Sequence, residues 1–193
     1  MKSLNWLALA PLLGASDLLV KSLGLSMVAL PLLIVLGVLA GLLRRLDATF
    51  LRAIMLLAAC AFLTIADLLM QATALELRDA LGMFLPLLLV AVVQAPTNAP
   101  QGLRHGLQFS GIALLLGALR ELLGQGTLLS HGEWLFGPAA AGWSIPGVTG
   151  LPLFALAPGA FLLVGVLWAL SRLMFAPSRP SSPSADPTSD ERR

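Results

Sequence analysis

Long apolar segments recur along this chain and constrain its fold more than any other feature. A helix needs about 20 apolar residues to cross a bilayer, and fewer if it is broken. Of the 193 residues, 58% are hydrophobic and only 11% are charged, whereas soluble domains carry about 25% charged residues. The sequence therefore predicts an all-α integral membrane protein of six transmembrane helices. The predicted spans are residues 4–20, 23–43, 51–72, 81–95, 106–123 and 151–175.

The first span has a second interpretation. Lys2, the apolar stretch after it and the small residues 14–16 also fit a signal peptide. Apolar sequence resumes directly after Lys21, however, and continues through the chain. This continuity favours a first membrane helix.

Basic residues predict how the spans are oriented. Arg44, Arg45 and Arg52 surround the turn between the second and third spans, and Arg104 lies in the predicted loop 96–105. Cytoplasmic loops of membrane proteins are enriched in lysine and arginine. These loops lie on one side if every span crosses, so both termini are predicted to be cytoplasmic.

The end of the chain has a different composition. Residues 176–193 contain prolines and serines and no large apolar side chain. Such a segment cannot bury enough surface to fold. We therefore predict a six-helix transmembrane domain over residues 1–175 and a disordered cytoplasmic tail over residues 176–193.

Two of the spans are unusual in the same way. The first and the fourth are short, and each is interrupted by a proline in a Pro-Leu-Leu tripeptide, at Pro11 and at Pro86. They stand three spans apart, so the two halves of the chain would face opposite ways across the membrane. Paired broken helices of this kind are typical of inverted repeats with a functional site at their interface. The sequence thus predicts two inverted three-helix repeats.

Four ionisable residues fall inside or at the ends of apolar spans: Asp17, Asp67, Arg120 and Glu121. Such residues are costly in a bilayer and often functional. Asp17 and Asp67 also fit an interfacial position, because both lie close to span ends. Arg120 and Glu121 point about 100° apart on a helix. They fit an interfacial anchor, a contact with a partner helix, or part of an ion path.

A stripe of small residues marks one face of the fifth span. Gly106, Ser110, Ala113 and Gly117 are spaced four, three and four residues apart. Small residues at this spacing let two helices approach closely. We expect this face to pack against another helix of the bundle or against another subunit.

Other classes of site have no support in the sequence. A net charge of +2 without a basic stripe gives no reason to expect nucleic-acid binding. The single cysteine, Cys60, excludes an internal disulfide and a four-cysteine metal site. His105 and His131 are predicted to lie in loops. We find no phosphate-binding glycine loop, zinc motif or serine nucleophile elbow.

Four segments resemble the NqrDE/RnfAE family, the paired membrane subunits of the Rnf and Na+-translocating NADH:quinone oxidoreductase complexes. The most specific is GALRELLGQGTL at residues 117–128, and the others are LALAPLL at 7–13, LGMFLPL at 81–87 and PGAF at 158–161. The resemblance spans roughly residues 5–175 and is strongest to the E-type subunit of Rnf.

This resemblance implies a fold and a role. The family fold is a six-helix inverted repeat in the bacterial inner membrane. The E-type and A-type subunits lie side by side in opposite orientations. Each supplies two cysteines, one from each broken helix, to a shared iron–sulfur cluster that passes electrons across the membrane, and electron flow drives Na+ or H+ translocation. The implied partners are the other Rnf subunits, especially the A-type subunit and the flavin-bearing membrane subunit.

The chain departs from the family at the cluster ligands. Ala10 and Val92 occupy the positions where the family has cysteines. Neither side chain ligates iron, and Cys60 lies off the family's ligand positions. We therefore expect no cofactor to be bound by this chain. Three functions stay open: an Rnf subunit without its own ligands, a diverged transporter or channel outside the complex, and a structural scaffold.

Overall fold

The structure, a computed structural model, describes residues 14, 16–90, 96–136, 142–144 and 150–174. Within these ranges the chain is mostly helical. The elements, in chain order, are α1 Leu19–Leu42, α2 Ala48–Thr73, α3 Leu75–Leu81, α4 Phe84–Leu87, α5 Ala99–Gln125, β1 Thr127–Leu128, α6 Glu133–Phe136, β2 Trp143–Ser144, α7 Pro152–Ala155 and α8 Ala157–Met174. The two short strands pair antiparallel after α5.

Three of the described helices, α1, α2 and α5, are long and apolar enough to cross a bilayer. They have 24, 26 and 27 residues, so each exceeds the roughly 30 Å hydrocarbon thickness at 1.5 Å per residue. They correspond to the second, third and fifth predicted spans. The count of six spans stays a prediction, because residues 1–13 and 91–95 lie outside the described part of the chain.

The predicted boundaries were wrong in two places. Residues 16–18 form a turn and α1 already begins at Leu19, so Asp17 precedes α1 and Val20 belongs to α1 rather than to the first span. The predicted loop 96–105 is also wrong, because α5 begins at Ala99 and includes His105. Asn98 stands in extended conformation before α5, and a proline follows at residue 100, where its missing N–H costs the helix nothing.

The fourth and sixth predicted spans are interrupted in their described parts. α3 ends at Leu81, and Gly82 adopts a φ of 43° before the four-residue α4. Residues with side chains rarely adopt this backbone conformation, so glycine permits the break. The last segment is divided at Leu156, between α7 and α8.

α1 and α5 pack antiparallel and make the most extensive contact between described helices. A side chain at Gly117 would meet Leu19, one at Gly106 would meet Leu30, and one at Gly102 would meet the backbone of Leu33. Positions therefore rise along α1 as they fall along α5. All four residues of the small-residue stripe are buried, which confirms that this face packs against another helix of the bundle.

α2 contributes less to the core and leaves an apolar face open. Its buried side chains include Met55, Ala59 and Leu63, whereas Leu57 and Ile65 are exposed. Exposed aliphatic side chains of this kind suit contact with lipid or with a neighbouring membrane helix. α3 also packs against α1, where Leu77 lies against Gly24.

We predict that Gly102→Ala lowers the stability of the bundle. The new methyl group would collide with the backbone of Leu33, and overpacking of this kind costs about 1–3 kcal/mol. Gly111 is the matched control, because it lies on the same helix, is exposed and has nothing near its missing side chain. The apparent melting temperature in detergent should fall for Gly102→Ala and stay unchanged or rise for Gly111→Ala. Equal values for the two variants would contradict close packing of α1 and α5.

Candidate functional site

Arg120 and Glu121 lie inside the bundle, in the last turns of α5. Their exposed fractions are 3% and 0%. Charged groups are almost never buried so completely unless they are paired or hydrogen-bonded. Because the two residues are adjacent on α5, their side chains contact different partners. Arg120, Glu121 and these partners together form a buried polar junction.

Glu121 connects the end of α5 to the start of α1. Its carboxylate accepts hydrogen bonds from the backbone N–H of Leu19 at 2.8 Å and of Ser130 at 2.6 Å, and the Thr127 hydroxyl lies at 3.5 Å. Leu19 is the first residue of α1, and Leu18 before it provides no side-chain cap. The first N–H groups of a helix lack partners within the helix and carry partial positive charge. Glu121 therefore caps α1 from another helix.

Arg120 donates hydrogen bonds to backbone carbonyls where the last segment of the chain is interrupted. Its Nε donates to the carbonyl of Phe154 at 3.2 Å, and its Nη2 donates to the carbonyl of Leu156 at 3.3 Å. Both carbonyls lie where α7 gives way to α8. The Leu156 carbonyl also accepts the backbone N–H of Gly159 at 3.0 Å, so Arg120 is a second donor there. Nη1 donates to the hydroxyl of Ser16 at 3.2 Å. Arg120 thus links the turn before α1 to the α7–α8 break.

Asp17 adds a further charge beside this junction. It forms an ion pair with Lys21 at 2.7 Å, one turn further along the chain, and it interacts electrostatically with Arg120. Its side chain is 34% exposed, but its Oδ1 atom is buried and has no hydrogen-bond partner. Asp17, Lys21, Arg120 and Glu121 together balance in charge. A balanced set is what an apolar surrounding requires.

The loop after α5 closes over Glu121. Gly126 ends the helix with a φ of 66°, the left-handed conformation that commonly follows a helix. Ser130 then returns its N–H to Glu121, and its Oγ lies 3.1 Å from Nδ1 of His131. The His131 ring contacts that of Trp134, with centroids 4.5 Å apart. As the sequence predicts, His131 lies in a loop.

Asp67 belongs to a separate ion pair. Its two carboxylate oxygens accept hydrogen bonds from Nε and Nη2 of Arg78 at 3.0 and 3.2 Å. Hydrogen bonding to Asp67 raises the pKa of Arg78. Both side chains are about one-third exposed, which favours the interfacial interpretation of Asp67. The structure therefore joins Asp17, Arg120 and Glu121 in one junction and pairs Asp67 elsewhere.

The donors of this chain do not fit an iron–sulfur cluster. Such a cluster is held by cysteine thiolates, and the one cysteine, Cys60, is exposed on α2. Within the described ranges, no group of three or more histidine, cysteine, aspartate or glutamate residues is arranged to hold a metal. Ala10 and Val92 lie outside these ranges, so their surroundings are not described.

Comparison with known proteins decides the family. The sequence model for "Rnf-Nqr subunit, membrane protein" matches residues 2–168. The chain belongs to the Rnf-Nqr family. This confirms the resemblance carried by residues 117–128, the segment that contains Arg120 and Glu121.

Similar curated proteins share one name, that of the E-type subunit of an ion-translocating oxidoreductase complex. The Rnf-Nqr chain is 41% identical to the protein of Pseudomonas paraeruginosa over 182 residues, which cover 85% of this chain and 75% of the relative. It is 34% identical to those of Shewanella oneidensis and Thioalkalivibrio sulfidiphilus, each over 186 residues. These alignments cover 87% and 88% of this chain and 79% and 82% of the relatives. With its apolar helices, the chain is a membrane protein of this family.

The sequence does not indicate the partners of Arg120 and Glu121 in the buried polar junction. Ser16, Leu19 and Ser130 carry no motif, and two of the groups involved are backbone N–H groups. One signal was present, because the apolar residue Leu18 stands before α1 where a capping side chain is usual. An uncapped helix start inside a membrane protein requires an acceptor from elsewhere in the fold.

We predict that Glu121→Ala strongly destabilises the protein. It would leave the partly buried N–H groups of Leu19 and Ser130 without their acceptor, and an unsatisfied buried group costs about 1–3 kcal/mol. Glu133→Ala is the matched control, because Glu133 is exposed at the start of α6. Thermal unfolding in detergent should show a large loss for Glu121→Ala, a smaller loss for Glu121→Gln and little change for Glu133→Ala. Similar midpoints for Glu121→Ala and Glu133→Ala would rule out this capping role.

Proposed function

We propose that this chain is the E-type membrane subunit of an Rnf-type complex that couples electron transfer to Na+ or H+ translocation. The observation that carries the proposal is the 41% identity to a protein named as the E-type subunit of an ion-translocating oxidoreductase complex, over 75% of that protein's length. The family match over residues 2–168 agrees with it.

The proposed fold is six transmembrane helices in two inverted halves, in the bacterial inner membrane with both termini cytoplasmic. In such a repeat the second helix of one half is equivalent to the second helix of the other. These helices are α1 and α5. Their antiparallel packing, with Leu30 against Gly106 near the middle of the contact, is the arrangement that an inverted pair requires.

The proposed role excludes cluster ligation by this chain. Ala10 and Val92 provide no thiolate, so no electron-transfer step is assigned to its residues. We assign to it the packing and orientation of neighbouring subunits, with the A-type subunit and the flavin-bearing membrane subunit as the principal partners. The buried junction supports such a role, because it fixes α1, α5 and the α7–α8 break relative to one another.

The loss of both family cysteines favours one second candidate. A paralogue that has left the complex no longer needs the ligands and acts as a small transporter, channel or scaffold. In that case we expect Asp17, Asp67 or Arg120 to lie in its pore.

Purification of the tagged full chain from native membranes separates the two candidates. After gentle detergent extraction, mass spectrometry should identify the other Rnf subunits in comparable amounts. A tagged membrane protein of similar size and unrelated family serves as the control. Recovery of this chain alone, under conditions in which a tagged A-type subunit recovers its complex, would contradict membership of the complex.

We also predict that the purified chain carries no stoichiometric iron–sulfur cluster, because positions 10 and 92 lack thiols. Iron analysis and visible absorbance measure this directly. The double variant Ala10→Cys with Val92→Cys, purified together with the A-type partner, should contain more iron than the unmodified pair. One cluster per unmodified chain, ligated by that chain, would refute the prediction.

A further inference from the structure

Two serine hydroxyls are buried between α1 and α5 without a hydrogen-bond partner. They belong to Ser26 on α1 and Ser110 on α5, and each residue is 7% exposed. A buried hydroxyl that makes no hydrogen bond is unfavourable. Such a group in a folded protein calls for an explanation, and an unseen water molecule is one of the usual ones.

Three other helical hydroxyls in the described part of the chain have a partner on their own helix. Ser22, Thr64 and Thr73 each donate to the carbonyl four residues earlier, at 3.3, 2.9 and 2.8 Å. This local bond is the usual solution for serine and threonine in apolar helices. Ser26 and Ser110 do not use it, so their hydroxyls stay available to a ligand.

The register of the two helices brings these hydroxyls to the same level. Leu30 lies against Gly106. Ser26 is one turn before Leu30, and Ser110 is one turn after Gly106. Because α1 and α5 run antiparallel, these two steps lead in the same direction. Ser26 and Ser110 therefore face the same part of the interface, at the same depth.

The residues of α1 differ in polarity on the two sides of Ser26. Toward the start of α1 lie Ser22 and then Asp17, whose Oδ1 is also buried and unpaired. Toward the end of α1 the buried residues are apolar or glycine: Leu32, Leu33, Leu36, Gly37 and Ala40. Ser26 lies about 10 Å along α1 from Leu19 at 1.5 Å per residue. Polar side chains thus line this face of the chain from Asp17, just before α1, to Ser26, and we call this row the polar track.

We propose that Ser26 and Ser110 bind water at the inner end of the polar track, which begins at Asp17. A buried water needs two to four polar partners, and each hydroxyl both donates and accepts. The track provides a hydrated half-path by which a small monovalent cation or a proton enters the bundle. This use of the track rests on the proposed function, whereas the water site itself does not.

Cysteine accessibility in native membrane vesicles tests the water site. Ser26→Cys and Ser110→Cys, each made in a Cys60→Ala background, introduce thiols of nearly the same shape as the hydroxyls. Ag+ is the probe, because it is a small monovalent cation that follows water and blocks a thiol against later alkylation. We expect both thiols to be blocked on the order of tenfold faster than a thiol at a buried apolar position, because thiol reactivity follows access to water.

Two control positions make this comparison specific. Ala29→Cys lies on α1 near the depth of Ser26 and is buried among apolar residues. Gly111→Cys lies next to Ser110 on the exposed face of α5. Blocking of Ser26→Cys and Ser110→Cys at the rate of Ala29→Cys would overturn the proposal.

Stability gives a second measurement that does not depend on labelling. A bound water loses a partner when Ser26→Ala or Ser110→Ala is made, so each variant should melt at a lower temperature. In a dry interface the same changes remove an unpaired hydroxyl and raise the melting temperature, which would overturn the proposal. If the water site passes both tests but the chain purifies alone, the site stands and only its use in an Rnf-type complex fails.

Discussion

The carboxylate of Glu121 is the interaction on which the arrangement of this bundle depends. It is fully buried, and it holds the first N–H of α1 and the loop that follows α5. α1 has no cap of its own, and lipid provides no acceptor for the unpaired N–H groups at its start. The position of α1 along α5 is therefore fixed by a charged hydrogen bond at one end. The contact of Leu30 with Gly106 and every other pairing along these helices follows from that register.

Arg120 complements this arrangement from the next position in the chain. It satisfies two carbonyls at the α7–α8 break and reaches the turn before α1. Because adjacent residues on a helix point about 100° apart, one short segment of α5 binds two separate interruptions of the chain. The most specific family segment, residues 117–128, thus contains a charged pair in an apolar span whose members hydrogen-bond to backbone groups at these interruptions.

The sequence predicted the class of fold and the packing face of α5, because apolar length and small-residue spacing are local signals. Arg104 and His105 favour a loop in the sequence, whereas both lie in α5, because a helix end near a membrane surface accommodates such residues. The sequence identified Arg120 and Glu121 as costly residues without finding their partners. Those partners are backbone groups of Leu19, Ser130, Phe154 and Leu156, and backbone groups leave no trace in residue identity. The unpaired state of Ser26 and Ser110 depends on the register of two helices, which composition alone does not determine.

The separation in sequence between Glu121 and Leu19 has a consequence for biosynthesis. The two residues are 102 positions apart, so α1 is synthesised and reaches the membrane long before its cap exists. Its first N–H groups must stay near headgroup water, or with another acceptor, until α5 arrives. The carbonyls of Phe154 and Leu156 have the opposite history, since Arg120 precedes them by 34 and 36 positions and is in place when they enter. Insertion of α5 is thus the step at which the first helix becomes fixed and the last segment acquires its donor.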